Sequence, residues 1–396
     1  MKKVAIIGCG ASGLVCAIVC AKAGLKVDIY EKNDKCAKKI LISGNGKCNI
    51  TNKNLYKEAY FGDNLEVVDE VLKRFDYKAQ EKFFKSLGIL FEDFDDGRVF
   101  PTSFEAKTVA FVLENYAKNL GVNIFKNKHI TSIKDFIIEE KKYDVVVLAS
   151  GSKAANHLGS NESGYKLAKS FYHDIKPLYP SLVQLVSSSK LPKIMSGVKL
   201  NADITLFING AKEQTINGDL LFSDYGLSGL GVLDISFYAS KALSEYAYME
   251  VVCDLLPKFP AKDLASHLQN ISKKLDILHS LHTVVPLKVA KTILKELQIE
   301  PSLREISIKE AKKIAHTLKN LKFEITDTKG FRYAEVCGGG VDTSQINPKT
   351  FESKKQKNLY IIGEVLDVVG KRGGYNFAFA WGSGYLAGCD IIAKNK

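Results

Sequence analysis

The sequence predicts an α/β protein built on a doubly wound parallel sheet that is two-part in sequence, interrupted by an insert with a β-rich subdomain and a helical subdomain. Three observations predict it. Short apolar runs ending in glycine or small residues recur at residues 4–7, 143–148 and 359–362, as expected of strands buried on both faces. A glycine-rich turn and a helix of small residues follow the first run directly. From residue 196 the texture changes, first to alternating apolar residues with Asn-Gly turns, then to helical periodicity.

Residues 4–7 lead into Gly8-Cys9-Gly10-Ala11-Ser12-Gly13, a G-x-G-x-x-G that opens a helix ending near Gly24. Gly8 makes the tight turn and Gly10 lets the backbone approach a pyrophosphate. Gly13 lets helix and strand pack closely, and the free N–H groups at the helix start face the phosphates. A second strand, residues 27–30, ends in Glu31, followed by Lys32. A carboxylate there accepts hydrogen bonds from a ribose diol and repels a 2′-phosphate, which points to FAD or NAD rather than NADP.

The segment from residue 43 to 52 is rich in glycine and amides: Ser43, Gly44, Asn45, Gly46, Cys48 and Asn49. Following the ribose-binding acid, it is expected to run along the cofactor. Residues 63–90 read as one or two amphipathic helices. Asp96-Gly97 forms a turn before Arg98, and a helix runs to about Asn119. Residues 122–125 and 131–138 read as short strands with Ile130 in the connection; the strand at 143–148 ends in Ala149-Ser150-Gly151.

Within the insert, Asn-Gly pairs at 209–210 and 217–218 signal hairpins. Ser307 and Glu310 form a capping box in the helical block. From residue 258 to 322 thirteen Lys/Arg face six Asp/Glu, a net +7 out of +12 for the chain. The expected parts are 1–195 and 325–396 for the nucleotide domain, 196–260 for the β-rich subdomain and 261–324 for the basic helical one. After the last strand come Gly363 and Glu364, then a loop to Gly374 and a helix starting at Tyr375, Asn376 and Phe377. Its positive end suits a negatively polarised group, which in a flavoenzyme is the pyrimidine edge of the ring.

At 396 residues, 46% hydrophobic and 25% charged, the chain is globular and long enough for two or three domains. It lacks an apolar run long enough to span a membrane, and no signal peptide precedes the first strand. The eight cysteines form no C-x-x-C, and Cys16 and Cys20 share a helix face as small buried side chains rather than metal ligands. A reducing, cytoplasmic setting fits, with no metal and no membrane expected. The positive charge is compatible with a nucleic-acid partner.

With these residues laid out, the chain resembles a flavoprotein family containing bile-acid dehydro-reductases, aminoacetone oxidases and ribosomal RNA dihydrouridine synthases. The matching motifs are GCGASG with Glu31, SGNGKCNITN, GRVFP, LFSDYGLSG, CGGGVD with INPKTFESK, and GEVLDVVGKRGGYNFAFAWGSGYLAG. The resemblance implies that Gly8 to Gly13 and Glu31 hold the ADP part of FAD, while Ser43 to Asn49 and Gly363 to Phe377 surround the ribityl chain and ring. The chain departs from the family at Lys47, Asp224, Leu230 and Cys337, where Arg, His, Pro and Thr are common.

One fingerprint leaves no second Rossmann domain for a nicotinamide, so NADH or NADPH is expected to dock transiently. Three functions compete: reduction of a C=C conjugated to a carbonyl, oxidation of a small amine, and non-catalytic RNA binding. The basic block favours a uridine of 23S ribosomal RNA as the reducible group, unstacked for reaction. The candidate acids are Cys48, Tyr225 and Tyr375, each with a structural role as the competing reading. Lys288, Lys291 and Lys295, at i, i+3, i+7, are expected to share an RNA-facing helix side if the helix starts after Pro286.

Overall fold

The computed structural model describes residues 2–394. They form two compact units, residues 2–179 with 335–394, and residues 180–334. In the first unit, β1 (Lys3–Ile7) runs into α1 (Ala11–Lys22), and β2 (Lys26–Tyr30) returns beside β1 in parallel. The short α2 (Lys38–Ile42) follows, and later α3 (Ala106–Asn119) leads to β3 (Asn123–Phe125) and β4 (Val145–Leu148). Residues 131–138, expected as a strand, are irregular apart from a two-residue hairpin arm at Ile137–Ile138. Asp135 and Phe136 take positive φ, which breaks an extended run.

The second unit holds a closed antiparallel barrel: β5 (Leu185–Ser187), β6 (Lys199–Ile208), β7 (Ala211–Ser223), β8 (Gly226–Ser228), β9 (Met249–Asp254) and β10 (Leu321–Thr328), ordered β5-β8-β7-β6-β9-β10. Ala202, Ile204 and Leu206 alternate inward, as do Met249, Val251 and Cys253, the period of a half-buried strand. The Asn209-Gly210 turn joins β6 to β7 with both residues at positive φ. The second Asn-Gly pair is not a turn. It lies inside β7, where Gly218 allows α4 (Leu230–Ser244) to approach: a Cβ there would sit 3.0 Å from the Gly231 Cα.

Around the same core pack α5 (Ala261–Ser272), α6 (Ile277–His282), α7 (Leu287–Leu297) and α8 (Ile308–Lys319). Barrel and helices therefore form one compact unit, where the sequence reading divided them at 260/261. Its first residue is Pro180 rather than 196, because β5 already belongs to the barrel. The capping box on α8 is present in both directions, and α7 begins directly after Pro286.

Back in the first unit, β11 (Leu359–Ile361) completes a sheet ordered β11-β4-β1-β2-β3, all parallel. The long α9 (Tyr375–Ala393) then packs on α1. Gly384 lies against the Ser12 carbonyl and Gly388 against Val19, since a Cβ at either would fall 2.3 or 2.7 Å away. As α9 advances from 384 to 388, its neighbours on α1 advance from 12 to 19, so the helices run parallel. Both N-termini point the same way. Gly374 precedes Gly384 by ten residues and Gly10 precedes Ser12 by two, which sets the start of α9 about 12 Å beyond the start of α1.

Candidate functional site

The β1–α1 turn is built around backbone proximity. Gly8 has φ +116°, and a Cβ on it would lie 2.3 Å from the Ala149 carbonyl oxygen. Gly10 is the N-cap of α1, with no side chain capping the helix and open space where its Cβ would be. The first-turn N–H groups of Ala11, Ser12 and Gly13 thus have no intrahelical acceptor, leaving partial positive charge at an open cradle.

Glu31, at the end of β2, is buried at 7% exposure. Its Oε2 accepts the Cys9 N–H at 2.9 Å; its Oε1 accepts the Asn33 backbone N–H at 2.9 Å and Nδ2 at 2.8 Å. The carboxylate is therefore part of the turn's own scaffold as well as a candidate ribose ligand. Lys32 beside it is half-buried, and burial lowers its pKa.

Gly44 and Asn45 in the 43–49 loop take left-handed φ, as do Gly46 and Cys48. Ser43 Oγ donates to the Ile40 carbonyl at 2.7 Å. The amide of Asn49 donates to the Val99 and Thr51 carbonyls at 3.1 and 3.0 Å and accepts the Gly374 N–H at 3.3 Å, tying the loop to the start of α9. Asn376 holds the same helix start through Gly370, accepting its N–H at 2.8 Å and donating to its carbonyl at 2.7 Å. Phe377 stacks on Trp381 with centroids 5.2 Å apart.

At the carboxyl end of β4, beside the Gly8 turn, stand Ala149, Ser150 and Gly151. The Ser150 Oγ is buried and has no hydrogen-bond partner among the described residues. Ile130 is buried at 6%; its neighbours His129 and Thr131 line a polar cavity of about 390 Å³ with Lys153, Asn156 and Glu162. Gly363 takes φ +75° and lies against Ser12, and its N–H donates to Ser383 Oγ at 3.0 Å. Glu364 Oε2 pairs with Lys39 Nζ at 2.6 Å.

The acid candidates separate clearly. Cys48 is completely buried, and burial pushes its thiol up to about 12, the setting of a side chain that packs the loop. Tyr375 is 7% exposed and its hydroxyl donates to the Asn54 carbonyl at 2.9 Å, with burial raising its pKa. Edge-on contacts to Tyr56 and Tyr60 fix its ring. Tyr225 stands in the second unit, partly exposed, with Lys329 Nζ 4.5 Å above its ring. Its hydroxyl has no hydrogen-bond partner among the described residues.

Two features escaped the sequence reading. Lys39 was one lysine among several in a basic segment, with nothing local to mark its partner. Cys9 and Cys36 form a disulfide, with Cα atoms 5.0 Å apart, where the sequence suggested reduced cysteines. The Ala37 N–H donates to the Cys9 carbonyl at 2.8 Å and brings the two strands of chain together; spacing along the sequence carries no trace of it.

A nucleotide cradle at the end of a parallel sheet, with a second helix start offset along the same direction, is reflected in the relatives of this chain. The profile described as "HI0933-like protein Rossmann domain" matches residues 2–390. The chain belongs to this HI0933-like family. A 3-dehydro-bile acid delta(4,6)-reductase of Clostridium scindens is 35% identical, covering 98% of both chains. A ribosomal RNA dihydrouridine synthase of Escherichia coli is 29% identical, over 99% of this chain and 98% of that one. The crystal structure of a 3-ketosteroid delta1-dehydrogenase from Sterolibacterium denitrificans superposes with a TM-score of 0.53 at 11% identity, covering all of both chains, and shares the fold. The HI0933-like chain is thus an oxidoreductase of the FAD-dependent class. No helix among the described residues is long and apolar enough to cross a membrane.

Proposed function

We propose that this protein binds FAD in the first unit and reduces a C=C bond conjugated to a carbonyl, taking electrons from NADH or NADPH. The fit to FAD is supported by the open space at Gly10 and the parallel offset of the α1 and α9 starts. Gly8 to Gly13 and the α1 N-terminus would hold the pyrophosphate and Glu31 the adenosine ribose, with Lys32, Ile130 and Ala149 to Gly151 around the adenosine. Ser43 to Asn49, Gly363, Glu364 and Gly374 to Phe377 would line the ribityl chain and ring. When bound, FAD supplies a two-electron carrier between nicotinamide and substrate.

The protein's own residues shape that chemistry. The α9 N-terminus offers N–H groups and a positive dipole end to negative charge. Tyr375, its hydroxyl engaged by Asn54, orients this helix start rather than giving up a proton. Tyr225, in the second unit, remains the acid candidate whose hydroxyl is not engaged among the described residues.

The favoured substrate is a uracil base in 23S ribosomal RNA, and the single observation that carries it is the basic helical face. Lys291 and Lys295 are exposed and make no ion pair among the described residues, while Lys288 is exposed with its Nζ donating to the Ser196 carbonyl at 2.7 Å. The test is the dihydrouridine content of ribosomal RNA in wild-type and deletion strains; equal content would reject it. A small enone is the second reading, favoured by the 35% identity to the bile-acid reductase. Steroid enone reduction by the purified protein tests it.

A further inference from the structure

We infer that Lys39 lets a carboxylate stand beside an anionic cofactor: its ammonium cancels the charge of Glu364 and does not itself hold the phosphates. The inference rests on the FAD reading above.

Three distant segments meet at this pair. The Ala37 N–H donates to the Cys9 carbonyl, which hangs the start of α2 on the Gly8–Gly13 turn. From α2, Lys39 Nζ reaches Glu364 Oε2 at 2.6 Å and Ser152 Oγ at 3.2 Å. Ser152 lies three residues beyond Ala149, the neighbour of Gly8, and Glu364 follows Gly363, the neighbour of Ser12. The carboxylate is therefore one residue from a contact with the first turn of α1. The Lys39 and Glu364 side chains keep 27% and 18% exposure, so the pair borders open space rather than apolar core.

The two acids of this region are neutralised differently. Glu31 receives three N–H donors and, among the described residues, no ion pair with an ammonium. Glu364 receives one backbone N–H, from Cys337 at 3.3 Å, and depends on Lys39 for the rest. A helix N-terminus offers about half a positive charge, which a pyrophosphate already exceeds. An unbalanced carboxylate at that distance would weaken the binding of an anionic ligand by roughly ten- to a hundredfold.

The experiment measures FAD dissociation constants on apo-protein by flavin fluorescence, for wild type, Lys39→Met, Lys39→Gln, Lys39→Arg, Glu364→Gln and the Lys39→Met/Glu364→Gln double variant. Both neutral lysine replacements are expected to weaken FAD by about ten- to a hundredfold, and Lys39→Arg to stay near wild type. The double variant should return to about the affinity of Glu364→Gln alone. Two neutral replacements keep the comparison intact if one fails to fold, as judged by the apo-protein melt. A double variant as weak as Lys39→Met would mean that lysine contacts the cofactor directly, and would overturn the inference. Unchanged affinity in the neutral variants would overturn it too. Wild-type protein that takes up no FAD would instead sink the parent reading, and the inference with it.

Discussion

The backbone N–H of Cys9 donates to the Glu31 carboxylate across 2.9 Å, so the acid at the end of β2 braces the glycine turn at the end of β1. The residue proposed to meet a ribose is also the strut of the turn proposed to hold phosphate. Changing it would disturb both ends of the adenosine site, which makes Gly10 the cleaner position to test.

Gly10→Val is expected to fold and to lose FAD. The backbone at Gly10 has φ −94°, open to any residue, and its Cβ meets nothing within 4 Å. The valine methyls would occupy the space proposed for phosphate. A folded variant, by circular dichroism, retaining stoichiometric FAD on denaturing release would refute the cradle.

Electron supply follows from the single fingerprint. NADH and NADPH should each bleach the flavin slowly without substrate, at rates within about an order of magnitude, since no second nucleotide domain selects the 2′-phosphate. Anaerobic stopped-flow spectra at 450 nm (roughly the flavin band) check this. Tight nicotinamide binding to flavin-free protein would show that the cradle holds the wrong dinucleotide.

Thiol titration reads the Cys9–Cys36 bond. Of eight cysteines, six are free thiols: Cys16, Cys20, Cys48, Cys253, Cys337 and Cys389. Denatured protein should release six equivalents before reduction and eight after it. Cys36→Ser is expected to lower stability by about 2–4 kcal/mol in chemical unfolding. Eight equivalents without reductant would show that the two sulfurs are not joined.

Acid should loosen α8. Arg304, with Ser307, holds the Glu310 carboxyl at about 2, against an ordinary value of 4.5. The folded value is the lower one, so the contribution is complete above about 4.5 and is lost as pH falls through about 2. The Glu310 side chain is 25% exposed and its partner Arg304 41%, so screening keeps the effect to about 0.5–1 kcal/mol. Glu310→Gln should lose that increment at pH 7 and narrow its gap to wild type in acid; a constant gap down to about pH 2 would contradict the pairing.

Reversing Lys288, Lys291 and Lys295 to Glu should weaken RNA binding while flavin content stays normal. Each lost phosphate contact lowers the log–log salt slope by roughly 0.7–0.9. Lys291 and Lys295 should carry more of the effect than Lys288, whose ammonium already serves Ser196. Unaltered RNA modification by the triple variant would leave the face as plain solvated surface.

What could be read from sequence was local. The Gly8–Gly13 turn, the Ser307–Glu310 box and the start of α7 after Pro286 each depend on residues within one turn of each other. The Asn-Gly pair at 217–218 misled because Gly218 serves the approach of α4, a neighbour thirteen residues on at Gly231. Lys39 with Glu364, 325 residues apart, and Cys9 with Cys36 are products of the fold, with no periodicity to announce them. Cys48 stands in a loop rich in glycine and amides, and its complete burial is a property of the packed chain that the loop's sequence does not carry.

The barrel closes by pairing its first strand, β5, with its last, β10, and the Lys329 N–H donates to the Gln184 carbonyl at 3.0 Å where the chain enters and leaves. On the other side of the junction, the strands Ile175–Ser181 and Val336–Val341 also pair. Host and guest are each sewn shut at the seam. Each unit therefore keeps its own end-to-end pairing at the point where the chain passes from one to the other.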